Sequence, residues 1–500
     1  MNETLNARLQ NINPLSATLL LILASAALSL MVAGQVEFSG DEAHYALYGT
    51  YLDWSYFDHP PMVGWLNALI LPFSHSEFAL RVLPILMFAG VSMVVYQLAR
   101  ECFPEASPWL GFVSVAILQS GILFHIIALA MIPDTPLLLF GLLAMLTLWR
   151  ATDINNEHQF RNWIYVGLCF GLAGLSKYTA ITLVVTAILF VHFSHRWQII
   201  RTPGPWIALL ISIILIMPVL YWNATHEWIS INYQLGHGFN KPEWTFSRAL
   251  LTQLLQFVVY SPGMFLLGLW ALITSFRHWQ HPGVRLIILF TLPILLLFNW
   301  GGGYEESLPH WTSLAWAGLS PLTAYWLINN WQKTWVRFAT WSSAIYSLFF
   351  VLFLHSLLFY PWLNMPEEKN ILRDLVGWQD AAIKAKKLGD IMAQSPGEKP
   401  VVMVNNWSLG SRLAWYSYPE PVVVNDTRFD QFDLWYGGPE KVSRGIMVIP
   451  AYFKHPKMLK TKFHSCEQID SLEIKHHGHT QVTYYFYACT KSDDAQISLP

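Results

Sequence analysis

The stretch "GDEAHYALYGTYLDWSYFDHPPM" concentrates acids and histidines directly after a long apolar segment. It carries Asp41, Glu42, Asp58 and His59, and no Lys or Arg separates the apolar segment from Arg81. Carboxylates and imidazoles can take a proton from a hydroxyl or hold a metal ion. Charged groups close to a bilayer are costly and usually functional. The stretch therefore predicts a chemical site at a membrane surface.

Composition indicates which solvent surrounds the elements that carry this site. Of 500 residues, 54% are hydrophobic, 15% aromatic and 12% charged, whereas soluble domains have about 25% charged residues. The formal net charge of -2 excludes a generally basic chain, so no nucleic-acid partner is expected. The composition predicts an integral membrane protein.

Apolar runs of about 17 to 25 residues predict a mostly α polytopic membrane protein with about eleven transmembrane helices. The predicted spans lie near 15–34, 79–99, 108–128, 134–149, 162–176, 178–194, 204–222, 250–275, 284–300, 308–329 and 339–361. The apolar run 60–73 is shorter and contains prolines, so it is predicted to lie in the membrane interface.

The distribution of basic residues predicts the orientation of these spans. Ten Lys and Arg residues flank one side of the predicted membrane domain, 1–361, and four flank the other. Because the richer side faces the cytoplasm, the loops that carry Asp41, Asp134, Lys177 and His237 all reach the outer face. Acids gathered there with Lys and His indicate a site for a phosphate, a metal ion, or both.

Each of these residues also has a purely structural interpretation. Asp41 and Glu42 suit the first turn of a helix, and Asp134 is a good helix N-cap. Lys177 can extend from a helix end to the membrane interface. His237 lies between two glycines, which is typical of a solvated loop. Their shared face favours a site.

Residues 362–500 are predicted to form a separate extracytoplasmic α/β domain. The runs "KPVVMVNN", "PVVVND", "RGIMVIP" and "TYYFYAC" have the apolar character of short strands, and 367–392 has helical periodicity. Cys466 and Cys489 either form a disulfide bond in an oxidising compartment or remain buried thiols. The segment "DTRFDQFDLWYGG" is polar and aromatic enough to contact a sugar, and equally consistent with a packed edge.

Several motifs in a fixed order resemble the polytopic glycosyltransferases with the GT-C fold, specifically the bacterial relatives of protein O-mannosyltransferase that include the lipid A aminoarabinose transferase. The resemblance spans about residues 15–330. Its motifs are "GDEAHYA", "YFDHPPMVGWL", "FALRVLP", Asp134 in the next outer turn, "GLSKYTA" and "LPHWTSLAW".

The resemblance implies catalytic and metal-binding roles. Asp41 is implied as the main catalytic carboxylate, with Glu42 as its neighbour and Asp134 as the second outer-loop acid. Asp58 matches an acid associated with a metal ion, and His237 resembles a loop histidine near the same site. A divalent metal ion is therefore a predicted cofactor, held by Asp58 and His237.

The resemblance also implies a binding site for the donor phosphate. Lys177 and His59 are implied phosphate contacts, Arg81 is a further candidate because of its charge, and Lys241 lies near another basic position of the family. The family has "FEKPP" where this chain has "FDHPP". Because His59 replaces a lysine, phosphate contact at this position would depend on pH.

The implied activity is transfer of a sugar from a polyprenyl-phosphate donor to an envelope acceptor, which is lipid A, a glycan or a protein. The implied location is the outer face of the bacterial inner membrane, and the expected stereochemistry is inversion in a single displacement. No nucleotide is required, in agreement with the lack of a dinucleotide fingerprint in the sequence. The alternative is a transporter or flippase of lipid-linked glycans, which is expected to have ionisable groups near the membrane midplane and internal repeats.

Overall fold

The computed structural model describes residues 13–153, 155–239, 243–304, 307–393, 399–453, 463 and 465–491, with the side chains of 237–239 left out. Apolar helices dominate the part before residue 360. These helices are α1 Pro14–Val32, α2 Gly40–Thr50, α3 Met62–Ala68, α4 Glu77–Cys102, α5 Leu110–Ser120, α6 Ile122–Leu129, α7 Asp134–Thr152, α8 Gln159–Ser176, α9 Ile181–Phe193, α10 Pro203–Thr225, α11 Ile229–Phe239, α12 Phe246–Val259, α13 Pro262–Ser275, α14 Pro282–Gly301, α15 Ser313–Asn329 and α16 Thr334–Phe359.

The helices confirm a multi-pass membrane protein, but they do not confirm a count of eleven spans. Within the described residues, six helices are long and apolar enough to cross a membrane, namely α1, α4, α7, α10, α14 and α16. Two further pairs qualify as bent spans: α5 with α6 at 79°, and α12 with the helical segment that begins at Pro262 at 111°. The breaks have local causes, because Gly121 has extended backbone and Ser261 has a φ of 71° before Pro262.

Close helix contacts hold the membrane part together. Helix α8 packs against both α7 and α10, and α15 packs against α5, α14 and α13. At Gly171 of α8, an added Cβ would lie 2.5 Å from Leu215 Cδ1 of α10, so only glycine permits this approach. Small residues allow helices to approach closely in a membrane, where packing replaces the hydrophobic effect.

The C-terminal part contains one mixed sheet covered by helices. Its helices are α17 Trp378–Met392, α18 Trp407–Ser417 and α19 Gln431–Tyr436, and its strands are β1 Val401–Val404, β2 Val422–Val424, β3 Arg444–Pro450, β4 Ser465–His476 and β5 His479–Thr490. The strand order is β2-β1-β3-β5-β4. Strand β1 is parallel to β2 and β3, whereas β5 is antiparallel to β3 and β4.

All four predicted strands are present, and the structure adds one strand and shortens one helix. The edge strand β4 was not predicted because its apolar residues alternate with charged ones. The helix predicted over 367–392 begins only at Trp378, since Gly377 has a φ of 82° and isolated 3₁₀ turns precede it. Cys466 and Cys489 are paired across β4 and β5 by a disulfide bond.

The C-terminal part packs directly on the first outer loop. Phe38, Ala43 and Leu47 share one apolar core with residues of α17, α18 and the sheet. At Gly40, an added Cβ would lie 2.3 Å from Ser408 Oγ, so the start of α2 touches α18. The Glu37 carboxylate accepts the N–H groups of Trp378 at 2.6 Å and Gln379 at 3.1 Å. The C-terminal part therefore positions α2 in two ways, through the shared apolar core and through the hydrogen bonds to Glu37 in the preceding loop.

Candidate active site

Helix α2 presents Asp41 in its first turn. Ser39 and Glu42 form a capping box at the helix start, so the cap does not use the Asp41 side chain. The half-buried Asp41 carboxylate has no hydrogen bond or ion pair with any residue in the described part of the chain. Burial raises the pKa of Asp41 above its usual range, against the opposing charges of His310 and His44. Asp41 is thus an accessible carboxylate that can accept a proton.

The neighbouring acid, Glu42, has the opposite environment. Its Oε1 accepts from Arg81 Nε at 2.8 Å, and its Oε2 accepts from Arg81 Nη2 at 3.1 Å. Arg81 also donates to the carbonyl oxygens of Ala33, Val36 and Glu37, and both members of the pair are buried. Both side chains are therefore engaged with each other, and the catalytic role of Glu42 and the phosphate contact of Arg81 stay predictions. The pair joins α2 to α4 and to the end of α1.

Asp58 belongs to what we call the loop cluster, which consists of Asp41, His44, Tyr48 and Asp58. Tyr48 donates a hydrogen bond to Asp58, and His44 Nε2 lies 3.8 Å from Asp58 Oδ1. His44 Nδ1 lies 3.0 Å from Ser411 Oγ of α18. Burial opposes ionisation of Asp58, but His44 and the charge of His59 outweigh it and hold the pKa of Asp58 below its usual range.

His59 directly follows Asp58 and lies close enough to Asp58, Asp134 and Lys177 for their charges to interact. Burial lowers the pKa of His59 to about 4, although the charge of Asp58 opposes this shift. The imidazole is therefore neutral near pH 7. Its buried Nδ1 has no hydrogen-bond partner among the described residues. A neutral His59 can contact a phosphate only as a hydrogen-bond donor, and it does not replace the positive charge of a lysine.

The helix-end cluster consists of Asp134, Lys177 and His310. Lys177 Nζ donates to both carboxylate oxygens of Asp134 at 2.8 Å, and both side chains are buried. His310 Nε2 lies 3.7 Å from Asp134 Oδ2. Asp134 therefore forms no N-cap, and Lys177 does not extend to the interface.

The ionisable groups of the two clusters lie close enough to one another to interact electrostatically. The charge of His310 interacts with both Asp134 and Asp41. His59 in turn interacts with Lys177, Asp134 and Asp58. Residues from the first outer loop, the start of α7, the end of α8 and the 3₁₀ turn Pro309–Thr312 thus converge, as the predicted topology requires.

Two side chains predicted for the site, those of His237 and Lys241, lie outside the part of the chain that the structure describes. Lys241 is outside the described residues, and the His237 side chain is too, although the backbone of that residue belongs to α11. Among the described residues, no three His, Cys, Asp or Glu side chains form a group that could hold a metal ion. Asp58 is already engaged by Tyr48 and His44. The described donors therefore do not fit a metal site, and the metal ion stays a prediction.

The sequence interpretation missed His310, His44 and Tyr48 as members of the site. Asp41, His44 and Tyr48 follow the spacing i, i+3 and i+7, which puts them on one helix face. That signal was available. His310 had a weaker signal, namely its place in "LPHWTSLAW" directly after Pro309.

A buried amide supports the turn that carries His310. Gln256 Oε1 accepts from Thr312 Oγ1 at 3.0 Å and from Trp316 Nε1 at 3.1 Å. Gln256 Nε2 donates to Asn299 Oδ1 at 2.9 Å. The amide therefore ties the 3₁₀ turn to α12, α14 and α15.

Comparison with known proteins gives sequence and structural relatives. The family model described as dolichyl-phosphate-mannose-protein mannosyltransferase matches residues 58–222. The chain is 25% identical over 339 residues to the lipid A galacturonosyltransferase RgtD of Rhizobium johnstonii, covering 64% of this chain and 68% of that protein.

Solved structures share the fold. ArnT from Cupriavidus metallidurans bound to undecaprenyl phosphate has a TM-score of 0.64 at 14% identity, covering 96% of this chain and 99% of that one. The Archaeoglobus fulgidus oligosaccharyltransferase AglB, solved with an inhibitory peptide and a dolichol-phosphate, has a TM-score of 0.53 at 12% identity, covering 87% and 69%. The similarity to ArnT includes the C-terminal part, since it extends over almost the whole chain.

Proposed function

We propose, from the premise that this chain is a membrane glycosyltransferase with the GT-C fold, that it transfers a sugar from a polyprenyl phosphate to lipid A, a glycan or a protein. The relatives and the shared fold confirm the predicted family resemblance, the mostly helical GT-C architecture and the glycosyltransferase class, but not the predicted number of spans. The observation that carries the residue-level proposal is the unpaired Asp41 carboxylate, which lies near enough to His310 for their charges to interact. The alternative of a transporter has less support, because the charged clusters lie at helix ends and loops.

Asp41 is proposed as the general base. Its carboxylate accepts the proton of the acceptor hydroxyl while the hydroxyl oxygen forms a bond to the anomeric carbon of the donor sugar. The bond from that carbon to the phosphate oxygen breaks in the same step, and the polyprenyl phosphate leaves with the electron pair. A single displacement of this kind inverts the configuration at the anomeric carbon. The raised pKa of Asp41 makes its carboxylate a stronger base than an exposed aspartate.

Lys177 and His310 are proposed to stabilise the leaving phosphate. Asp134 occupies two of the three N–H donors of Lys177, so one remains for a phosphate oxygen. Asp134 itself is neutralised by Lys177, which makes it a positioning residue rather than a second base. Preorganised donors aimed at developing charge are often the largest single contribution to catalysis.

The proposed location is the inner membrane of a bacterium, with the site and the C-terminal part on the outer face. The excess of basic residues on the opposite side supports this orientation. A lipid-linked donor carries its own activated phosphate, so no nucleotide enters the mechanism. Asp58 and His237 stay the predicted ligands of a divalent ion, and no step above requires that ion.

The test combines cells and purified protein. Mass spectrometry of lipid A, envelope glycans and envelope proteins, in cells with and without the gene, should reveal one molecule that loses the mass of a sugar. The purified protein should then transfer that sugar from a polyprenyl-phosphate donor to the identified acceptor. Transport of an intact lipid-linked glycan with no new glycosidic bond would refute the proposal.

A further inference from the structure

A segment of the C-terminal part covers the first outer loop beside the loop cluster. This segment, 426–436, connects β2 to the end of α19. Gln431 Oε1 accepts the backbone N–H of Phe57 at 2.8 Å. The Trp435 ring lies 5.9 Å from the ring of His44 and 5.2 Å from that of Tyr51. This part of the segment is thus packed against the loop cluster, in agreement with the interpretation of its sequence as a packed edge.

The other part of the segment is exposed and carries Arg428. Arg428 Nη2 donates to the Tyr233 hydroxyl of α11 at 2.6 Å, and its Cζ lies 5.1 Å from the centre of the Tyr233 ring. The Tyr233 ring lies 4.6 Å from that of Phe57, which directly precedes Asp58. The guanidinium therefore bridges the C-terminal part and α11 beside the loop cluster.

Arg428 forms no ion pair with a described acid, although the Asp426 carboxylate lies near enough for the two charges to interact. Within the described ranges, no carboxylate lies within 4.0 Å of the Arg428 guanidinium, and its one side-chain hydrogen bond there goes to Tyr233. Four of its five N–H donors are therefore available. Two other arginines near the site differ, because Arg81 is paired with Glu42 and Arg412 is paired with Asp374.

We propose that Arg428, held by the hydroxyl and the ring of Tyr233, binds a phosphate group of an acceptor glycolipid beside the loop cluster. This inference rests on the proposed function and names the class of its acceptor. An arginine fork matches two phosphate oxygens, and stacking on Tyr233 restricts the guanidinium before the ligand arrives. The acids of the loop cluster repel an anionic acceptor, and the cation of Arg428 beside them offsets that repulsion.

The experiment measures steady-state kinetics of the full-length protein with two acceptors, lipid A carrying its phosphates and the same lipid A after phosphatase treatment. Arg428→Gln should raise the KM for the phosphorylated acceptor about 10-fold, with kcat and the donor KM unchanged. Arg428→Lys should be intermediate, since it keeps the charge and loses the fork. With the dephosphorylated acceptor, Arg428→Gln and the unsubstituted protein should be alike.

A matched control lies in the same part of the chain. Arg373 also lies over a tyrosine ring, with its Cζ 4.5 Å from the centre of the Tyr452 ring, and its side chain donates to the Glu368 carbonyl rather than to a described residue of α11. Arg373→Gln should leave both acceptor KM values unchanged. A raised donor KM in Arg428→Gln, equal losses with both acceptors, or no change would overturn the inference. Transfer to peptides alone would also overturn it, whereas a lack of any sugar transfer by the unsubstituted protein would refute the proposed function.

Discussion

The helix-end cluster and the loop cluster face one site, yet their acids have opposite environments. In the helix-end cluster, Asp134 is buried and neutralised by Lys177 at 2.8 Å. In the loop cluster, Asp41 is half-buried and has no partner among the described residues. The ion pair with Lys177 fixes the position of the Asp134 carboxylate. The loop cluster leaves the Asp41 carboxylate able to receive a proton.

The same contrast distinguishes two adjacent residues. Glu42 is bound by Arg81 and the capping box, while Asp41, one position earlier, is left unpaired. The buried Glu42–Arg81 pair therefore holds the helix that presents Asp41. In this site, the presence or absence of a partner distinguishes an acid with a structural role from an acid that can take part in the proposed chemistry. The residue type does not.

The largest effect is expected for Asp41→Asn, which tests whether the unpaired acid does the chemistry. The amide has nearly the same shape but cannot accept the proton, so transfer should fall by about 10²- to 10⁴-fold. Membrane insertion and thermal unfolding should be unchanged, because Asp41 has no described partner to lose. The measurement is the transfer rate of purified protein at saturating substrates.

Glu42→Gln is the matched control for Asp41→Asn. It weakens the ion pair with Arg81, so it should lower stability while the protein that remains folded keeps its kcat. Full activity in Asp41→Asn, or an equal loss of kcat in Glu42→Gln, would remove the distinction between the two acids.

The second effect concerns the helix-end cluster. Lys177→Ala removes the ammonium partner of the buried Asp134 charge and leaves only His310 beside it, and breaking a buried pair in this way typically costs about 3–5 kcal/mol of stability. It also removes the proposed phosphate contact, so the donor Kd should rise. Donor binding can be measured with a radiolabelled polyprenyl-phosphate sugar.

The double variant Lys177→Met with Asp134→Asn separates these two effects. It removes both charges, so stability should recover while donor binding stays weak. Unchanged donor affinity in both variants would exclude Lys177 from the phosphate site.

Much of this fold was predictable from local patterns. Long apolar runs indicate contact with lipid, and the excess of basic residues indicates sidedness, so the convergence of Asp41, Asp134 and Lys177 followed from the topology. Short apolar runs of strand-forming residues predicted β1, β2, β3 and β5. These signals depend only on neighbouring residues.

The unpredicted features depend on distant partners. The resemblance implies Glu42 as a catalytic neighbour of Asp41, but its pairing with Arg81 was not predicted, because Arg81 is 39 positions away and no local pattern indicates that they meet. The docking of α18 on α2 involves residues more than 360 positions apart, as the contact between His44 and Ser411 illustrates. His310 joins the site only because the turn that carries it is placed by α12, α14 and α15.

A moderate effect is expected for Gly40→Ala, which tests the docking that holds the loop cluster. The new Cβ would lie 2.3 Å from Ser408 Oγ, so α2 and α18 must separate or Ser408 must shift. Overpacking of this kind costs about 1–3 kcal/mol. Thermal unfolding should show the loss, and kcat should fall because Asp41 moves with α2.

Ser408→Ala in the Gly40→Ala background supplies the control, since it removes the obstructing hydroxyl. Part of the lost stability should return, although the hydrogen bond from Arg412 Nη2 to Ser408 Oγ at 3.0 Å is also lost. If the two substitutions were simply additive, the contact between α2 and α18 would not be the cause.

The smallest effect concerns pH at the same interface. Burial raises the pKa of Glu37 from 4.5 to about 7, although the N–H groups of Trp378 and Gln379 favour the carboxylate. Between these values the folded protein binds a proton that the unfolded chain releases, so the stabilisation is present below the lower value and is lost as pH rises through the higher one. Glu37→Gln cannot titrate. From about pH 5 to about pH 8, the Tm of the unsubstituted protein should therefore fall by about 2 °C more than that of Glu37→Gln. All other titratable groups are the same in the two proteins, so the difference between their Tm values isolates the effect of Glu37. Parallel Tm curves would show that the proton on Glu37 does not affect the docking of the C-terminal part on the first outer loop.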